Sequence, residues 1–230
     1  MPPRDQKREQ RILDAMARLI ERFGYNKTTV ADIANEAGIS KGAMYLHFKS
    51  KEEAFEALLI SAMFAFSKAW INAVEEDPDG GLIANMYINM LKAFEQVPFM
   101  ATIMRKDPAT LGNYLKKPGN FFEEQQSAGM RHEFIALMQE AGAVRKDLDP
   151  LVTAHIMDII SYGLVTAADY KPKDQVPETD ALIHGIADMM SRTLTPPDGG
   201  NSDAGKQIIR KLYAQGLEQF EQQLREKNSK

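Results

Sequence analysis

Only three residues, Gly38, Ile39 and Ser40, separate two stretches that each carry helical periodicity. In the first, Val30, Ile33, Ala34 and Ala37 recur at spacings of three and four; in the second, Met44 and Phe48 do. Thr29 is placed to cap the first, with Asp32 three residues on, and Ser40 to cap the second. Two helices this short cannot make a core by themselves. They need a brace, and the preceding segment supplies one: about residues 5–23, with Ile12, Met16, Leu19, Ile20 and Phe23 on one face and Gly24 as a stop.

Helical periodicity continues to the end of the chain, and no segment reads as strand. Ser50-Lys51-Glu52-Glu53 opens a long helix to about Val74. Asp77-Pro78-Asp79-Gly80-Gly81 breaks it. Further helices are expected at about 82–96, 98–106, 108–116, 120–141, 150–168, 179–194 and 203–226. The fold class is therefore all-α: an N-terminal three-helix domain containing a helix-turn-helix, followed by a larger helical domain. The expected division is 1–52 for the head, 53–195 for the body, 196–202 for a linker, and 203–230 for a C-terminal amphipathic helix that packs on the body or on a second copy.

The chain has no cysteine, so disulfides and thiolate metal sites are excluded. No apolar run is expected to reach membrane-spanning length, and the polar N-terminus is unlike a signal peptide. These features predict a soluble, cytoplasmic protein with no membrane partner. The net charge of −4 is unevenly spread. Residues 1–51 carry ten Lys/Arg against six Asp/Glu, while the remaining 179 carry 18 against 26. A basic head on an acidic body suits a polyanion at the head.

A helix-turn-helix lays its second helix in the major groove of DNA while the first crosses the backbone. The second helix must then be apolar on one side and carry contact groups on the other. Here Met44 and Phe48 face inward, and Lys41, Tyr45 and Leu46 look outward. Gly42 lets backbone approach closely.

The run from Thr28 to Glu52, TTVADIANEAGISKGAMYLHFKSKE, preceded by Phe23-Gly24-Tyr25, resembles the signature of the tetracycline-repressor (TetR) family of bacterial regulators. The likeness covers about residues 8–60. It implies that Thr28 or Thr29 meets phosphate at the start of the second helix, and that Ser40, Lys41 and Gly42 open the recognition helix. It further implies that Tyr45 and His47 reach backbone or bases and that Lys51 holds a phosphate. A structural role stands beside several of these: Ser40 as a cap, His47 in the core, Tyr45 in packing, Lys51 as a solvated charge. Position 46, often aromatic or polar in that family, is Leu, which makes only apolar contact, for instance with a thymine methyl.

The resemblance also implies a homodimer on a palindromic DNA operator, built mainly from the helices at 150–168 and 179–194, with Leu151, Ile156, Ile159, Ile160, Leu182, Ile183, Ile186 and Met190 as candidates. It implies a small-molecule effector, apolar or amphipathic, held among the middle helices. Candidate lining residues are Trp70, Met86, Met90, Phe94, Met104, Phe121, Phe122, Met130, Phe134 and Met138, with core filling as the alternative for each. The implied function is transcriptional repression relieved by that effector, with no cofactor. An enzyme is not expected, since the chain lacks phosphate-loop and nucleophile-elbow motifs. His155 and Asp158, three apart on one helix, are a weak metal pair. A ligand-free architectural DNA binder is the other alternative.

Overall fold

The computed structural model describes residues 6–123, 131–170 and 172–228, and among these no strand occurs. The helices are α1 (Gln6–Phe23), α2 (Val30–Glu36), α3 (Lys41–Tyr45), α4 (Lys51–Glu76), α5 (Ile83–Gln96), α6 (Phe99–Arg105) and α7 (Pro108–Leu111). Then come α8 (Arg131–Glu140), α9 (Pro150–Tyr170), α10 (Thr179–Leu194) and α11 (Ser202–Asn228). Short 3-10 turns cover Gly112–Lys116 and Lys173–Gln175. Contacts divide the chain into two compact units, Met1–Ala65 with Val97–Gly129, and Phe66–Gln96 with Met130–Lys230.

In the first unit, α1 buries Ile12, Leu13, Ala15, Met16 and Ile20. The apolar face stops there: Phe23, expected to continue it, is about half exposed, with the Arg22 guanidinium 4.9 Å from its ring. Gly24 takes a left-handed φ of +81°, and a Cβ on it would sit 2.9 Å from the Ala109 carbonyl oxygen. Ile33 and Ala34 of α2, Met44 of α3 and Phe55 and Leu59 of α4 are buried in the same unit.

The segment expected as one helix at 108–116 is two elements. Asp107 caps α7, its carboxylate accepting from the N–H groups of Ala109 and Thr110. Gly112 then adopts φ +57° and the chain tightens into a 3-10 turn. The Asn26 side chain occupies the space beside Gly112, 2.5 Å from where a Cβ would stand, and its Oδ1 accepts from the Asn113 N–H at 3.0 Å. A continuous α-helix would remove both arrangements. Of the helix expected at 120–141, residues 121–123 and 131–140 are helical.

In the second unit α5 packs on α10, and α9 and α11 pack on α8. The core joins Val74, Ile83, Met86, Tyr87, Leu91, Ile135, Met138, Ile183, Met190 and Ile209. The turn after α4 is organised by Asp77, which accepts from the side-chain amides of Asn85 and Asn89 at 3.0 and 2.9 Å and from the Asp79 N–H. Burial pushes the Asp77 carboxyl up, but these bonds, with Lys92 nearby, leave it below the ordinary aspartate value.

The last helix docks on its own unit. Ser202 Oγ accepts from the Gly81 N–H and donates to the Pro78 carbonyl. Arg210 grips Glu75 through two 2.6 Å bonds, and Ile209 is buried. Gly81 and Gly205 face each other so closely that a Cβ on either would overlap the other segment's backbone. The 196–202 connection is packed as well: Asn201 donates to the Gly142 carbonyl, and Gly200 abuts Leu82.

The expectation about membrane-spanning length is corrected by α4, which is long and apolar enough to cross a bilayer by length and composition alone. Its hydropathy has a local cause. The early part buries Phe55, Leu58 and Leu59 and the late part buries Val74, so apolar residues serve the cores of both units in turn.

Candidate nucleic-acid interface

Local chemistry fixes the two short helices. The Asp32 N–H donates to Thr29 Oγ1 at 3.2 Å, and the Asp32 carboxylate accepts from the Thr29 N–H at 2.9 Å and hydroxyl at 2.6 Å. This is a closed capping box, and the hydroxyl and backbone bonds from Thr29 lower the Asp32 pKa. Gly38 at φ +67° turns the chain, and Ser40 Oγ accepts from the Ala43 N–H at 3.1 Å to start α3. Met44 and Phe48 then seat α3 on the core. The second helix was expected to reach Phe48; it ends at Tyr45, and the Met44 carbonyl accepts from both His47 and Phe48 N–H groups as the chain leaves it.

With its inner face committed, α3 and the residue after it present Lys41, Gly42, Tyr45 and Leu46 outward. Lys41 and Tyr45 are one turn apart, as are Gly42 and Leu46. Leu46 is 79% exposed, the highest value among the large exposed apolar side chains. Thr29 and Ser40 are exposed at the two helix starts.

Two of the candidate contact residues lie inside, and a third, Lys51, is half-buried. Thr28 is buried and its hydroxyl donates to the Gly24 carbonyl at 2.9 Å. His47 is 6% exposed, with Nδ1 3.9 Å from Glu9 Oε2. Lys51 donates to the carbonyls of Tyr25 and Thr28 at 2.9 and 3.0 Å, and its ammonium sits 4.0 Å from the Tyr25 ring centroid. Partial burial lowers its pKa. Thr28 and Lys51 hold together the α1–α2 turn that carries Thr29, while His47 faces Glu9 of α1. The structure thus brings Thr29, Ser40, Lys41, Gly42 and Tyr45 to the outside, with Leu46 beside them, and sets Thr28, His47 and Lys51 behind. The expected capping box at Ser50 is altered: Ser50 Oγ accepts from the Glu53 N–H, but the Glu53 carboxylate accepts from the Lys49 N–H.

The remaining candidates separate by burial. On α9, Leu151, Ile156 and Ile159 are exposed, together with Val152 and Tyr162, and Ile160 is half-buried. On α10, Ile183 and Met190 belong to the core, Leu182 and Ile186 are half-buried, and Met189 is the exposed apolar residue. Trp70, Met86, Met90, Phe94, Phe134 and Met138 all lie in or against the core of the second unit, where the Trp70 indole donates to the Met86 carbonyl at 3.0 Å. Met104 belongs to the first unit, as do Phe121 and Phe122, which stack edge to face at 5.6 Å. Met130 lies outside the described residues. Among the described residues no group of three or more His, Asp or Glu could hold a metal ion.

Known proteins agree with the head. The family model for bacterial regulatory proteins of the tetR family matches residues 12–58. The HTH-type transcriptional regulator YerO of Bacillus subtilis is 45% identical over 76 residues, 32% of this chain and 25% of its own length. The A-factor receptor protein of Streptomyces griseus is 27% identical over 164 residues, 69% of this chain and 54% of its own length. The chain thus spans a quarter and about half of these two relatives. The transcriptional regulator FadR from Bacillus subtilis, solved in complex with stearoyl-CoA, superposes with a TM-score of 0.58 at 18% identity, covering 79% of this chain and 96% of that one. At that identity the likeness is one of fold. The capped helix pair and its outward face lie wholly within the residues that match the model for bacterial regulatory proteins of the tetR family, so the likeness to that family is carried by the head.

Proposed function

We propose that this protein is a homodimeric repressor that reads a palindromic operator through α3 and leaves it when a small amphipathic effector binds the body. The observation that carries the reading is the outward face of α3. Its inner residues are spent on the core, while Lys41, Tyr45 and Leu46 are exposed beside the capped starts of two helices. Thr29, Ser40 and Lys41 are placed to meet phosphates, and Tyr45 to meet backbone or base edges. Selection of purified protein on random duplexes, sequenced and repeated across a salt titration, tests it. A palindromic motif is the expected result. Retention that is sensitive to salt and blind to sequence would instead make the chain an architectural binder.

Dimerisation is assigned to the exposed apolar face of α9, Leu151, Val152, Ile156, Ile159 and Tyr162, with Met189 of α10. That face pairs two heads so that each recognition helix meets one half-site, about 34 Å apart. For the effector, the fold neighbours solved with stearoyl-CoA or as a gamma-butyrolactone receptor point to amphipathic, acyl-bearing molecules. The Met- and Phe-rich core of the second unit, Met86, Met90, Phe94, Phe134 and Met138 beside Trp70, is adaptable enough to open for such a chain. A ligand that prefers the form with misplaced heads shifts the population off DNA. Titrating acyl-CoA thioesters and lactones into the operator complex tests this: release is expected from at least one class. The setting is cytoplasmic.

A further inference from the structure

We infer that Leu46 is a base-reading residue, and that the group it reads is the 5-methyl of one thymine in each half-site. This deepens the operator reading and rests on it. Leu46, the residue that ends α3, is 79% exposed, while Met44 on the other side of that helix is buried in the core. A leucine left this far in water gains nothing from its own fold. The residue one turn before it on the same strip is Gly42. A Cβ there would meet only Ser40 Oγ, at 3.9 Å, and no left-handed φ demands glycine. Glycine is a poor helix residue, and nothing within the protein requires it at this position.

Together the two residues make a low apolar ledge, bare backbone at one end and an isobutyl group at the other. It is flanked by the exposed Lys41 and Tyr45 one turn apart. In the major groove only thymine offers an apolar group at its edge, the C5 methyl; cytosine, adenine and guanine offer donors or acceptors that leucine cannot satisfy. The ledge therefore selects thymine by burying its methyl and disfavours the other bases by stripping water from groups left unpaired. Lys41 and Tyr45 set the register, and Leu46 contributes discrimination.

The test uses the full-length protein and the operator recovered by selection. Each thymine is replaced in turn by deoxyuridine, which removes the methyl and keeps the pairing. For the wild type, one position per half-site is expected to weaken binding about fourfold, the worth of one buried methyl-sized group. Leu46→Ala changes both protomers and should weaken binding to the thymine operator by about fourfold at each half-site and lose all sensitivity at that position, while a full salt slope and an unchanged Tm show that the head and its phosphate contacts are intact. Gly42→Ala should weaken operator binding at the same position. Wild-type binding that ignores every thymine methyl, or a Leu46→Ala variant as sensitive as the wild type, overturns the inference while leaving the operator reading in place. A protein that selects no sequence at all sinks the operator reading, and this inference with it.

Discussion

The ammonium of Lys51 lies over the ring of Tyr25 and donates to that residue's own carbonyl oxygen, so one cation closes α4 onto the turn after α1. Its second bond, to the Thr28 carbonyl, sits one residue before the cap of α2. Replacing Lys51 with Met should therefore act first on the fold of the head. Losing two charge-assisted bonds is expected to cost about 1.5–3 kcal/mol, read as a lower urea midpoint. If Lys51 makes no phosphate contact, the slope of log affinity against log salt stays as in the wild type; a slope smaller by about 0.9 would assign it a phosphate instead.

Gly112 and Asn26 form the second tie between the α1–α2 turn and the 107–116 segment. Gly112→Ala places a methyl where Asn26 already is and forces alanine into a backbone region it avoids. A loss of about 1–3 kcal/mol is expected in denaturant unfolding. Combining it with Asn26→Gly should recover the steric part and leave the conformational part. Strictly additive losses in the two variants would show that the residues do not press on each other.

Two substitutions that look alike in the sequence should separate sharply. Ile159 is 66% exposed, whereas Met190 is buried in the core. Ile159→Glu is expected to yield a folded monomer by light scattering, with near-native Tm at low concentration and weakened operator binding. Met190→Glu should instead abolish cooperative folding, since it buries a charge without a partner. A dimer that survives Ile159→Glu together with Ile156→Glu would place the interface elsewhere.

The Asp77 cluster predicts a pH dependence. Its folded pKa is lowered, so its contribution is complete above the ordinary aspartate value of about 3.9 and is lost as pH falls through the lower folded value. Stability curves between pH 7 and 3 should fall more steeply for the wild type than for Asp77→Asn, which starts less stable and has one titrating group fewer. Parallel curves would mean that the Asn85 and Asn89 bonds do not favour the ionised form.

The parts of this fold that were readable in the sequence are those decided within four residues. Thr29 with Asp32, Ser40, Gly24 and Gly38 each announce a helix boundary through a bond or a backbone angle that needs no distant partner. What failed to show depends on residues far away in sequence. Gly112 stands in plain view inside the 108–116 segment, yet its break is enforced by Asn26, 87 positions from Asn113. Lys51 reads as a surface charge until the carbonyls 26 and 23 residues earlier are placed beside it. The apolar residues of α9 and α10 share one period, and periodicity alone does not say which of them another helix will cover; α5 covers Ile183 and Met190, while Ile156 and Ile159 stay open. The outward turn of Leu46 was legible, but its degree of exposure was not.

The near-contact of Gly81 with Gly205 has a consequence for the order of events on the ribosome. The bond from Gly81 to Ser202 spans 121 residues, and the Arg210 clamp on Glu75 spans 135. Everything the first unit needs has been synthesised by residue 129, so the head can assemble while translation continues. The second unit cannot close its core over Ile83–Gln96 until residues 179–194 have been made, and Ile209 joins it later still. A nascent chain stalled shortly before residue 179 would thus carry an assembled head on an unfinished body.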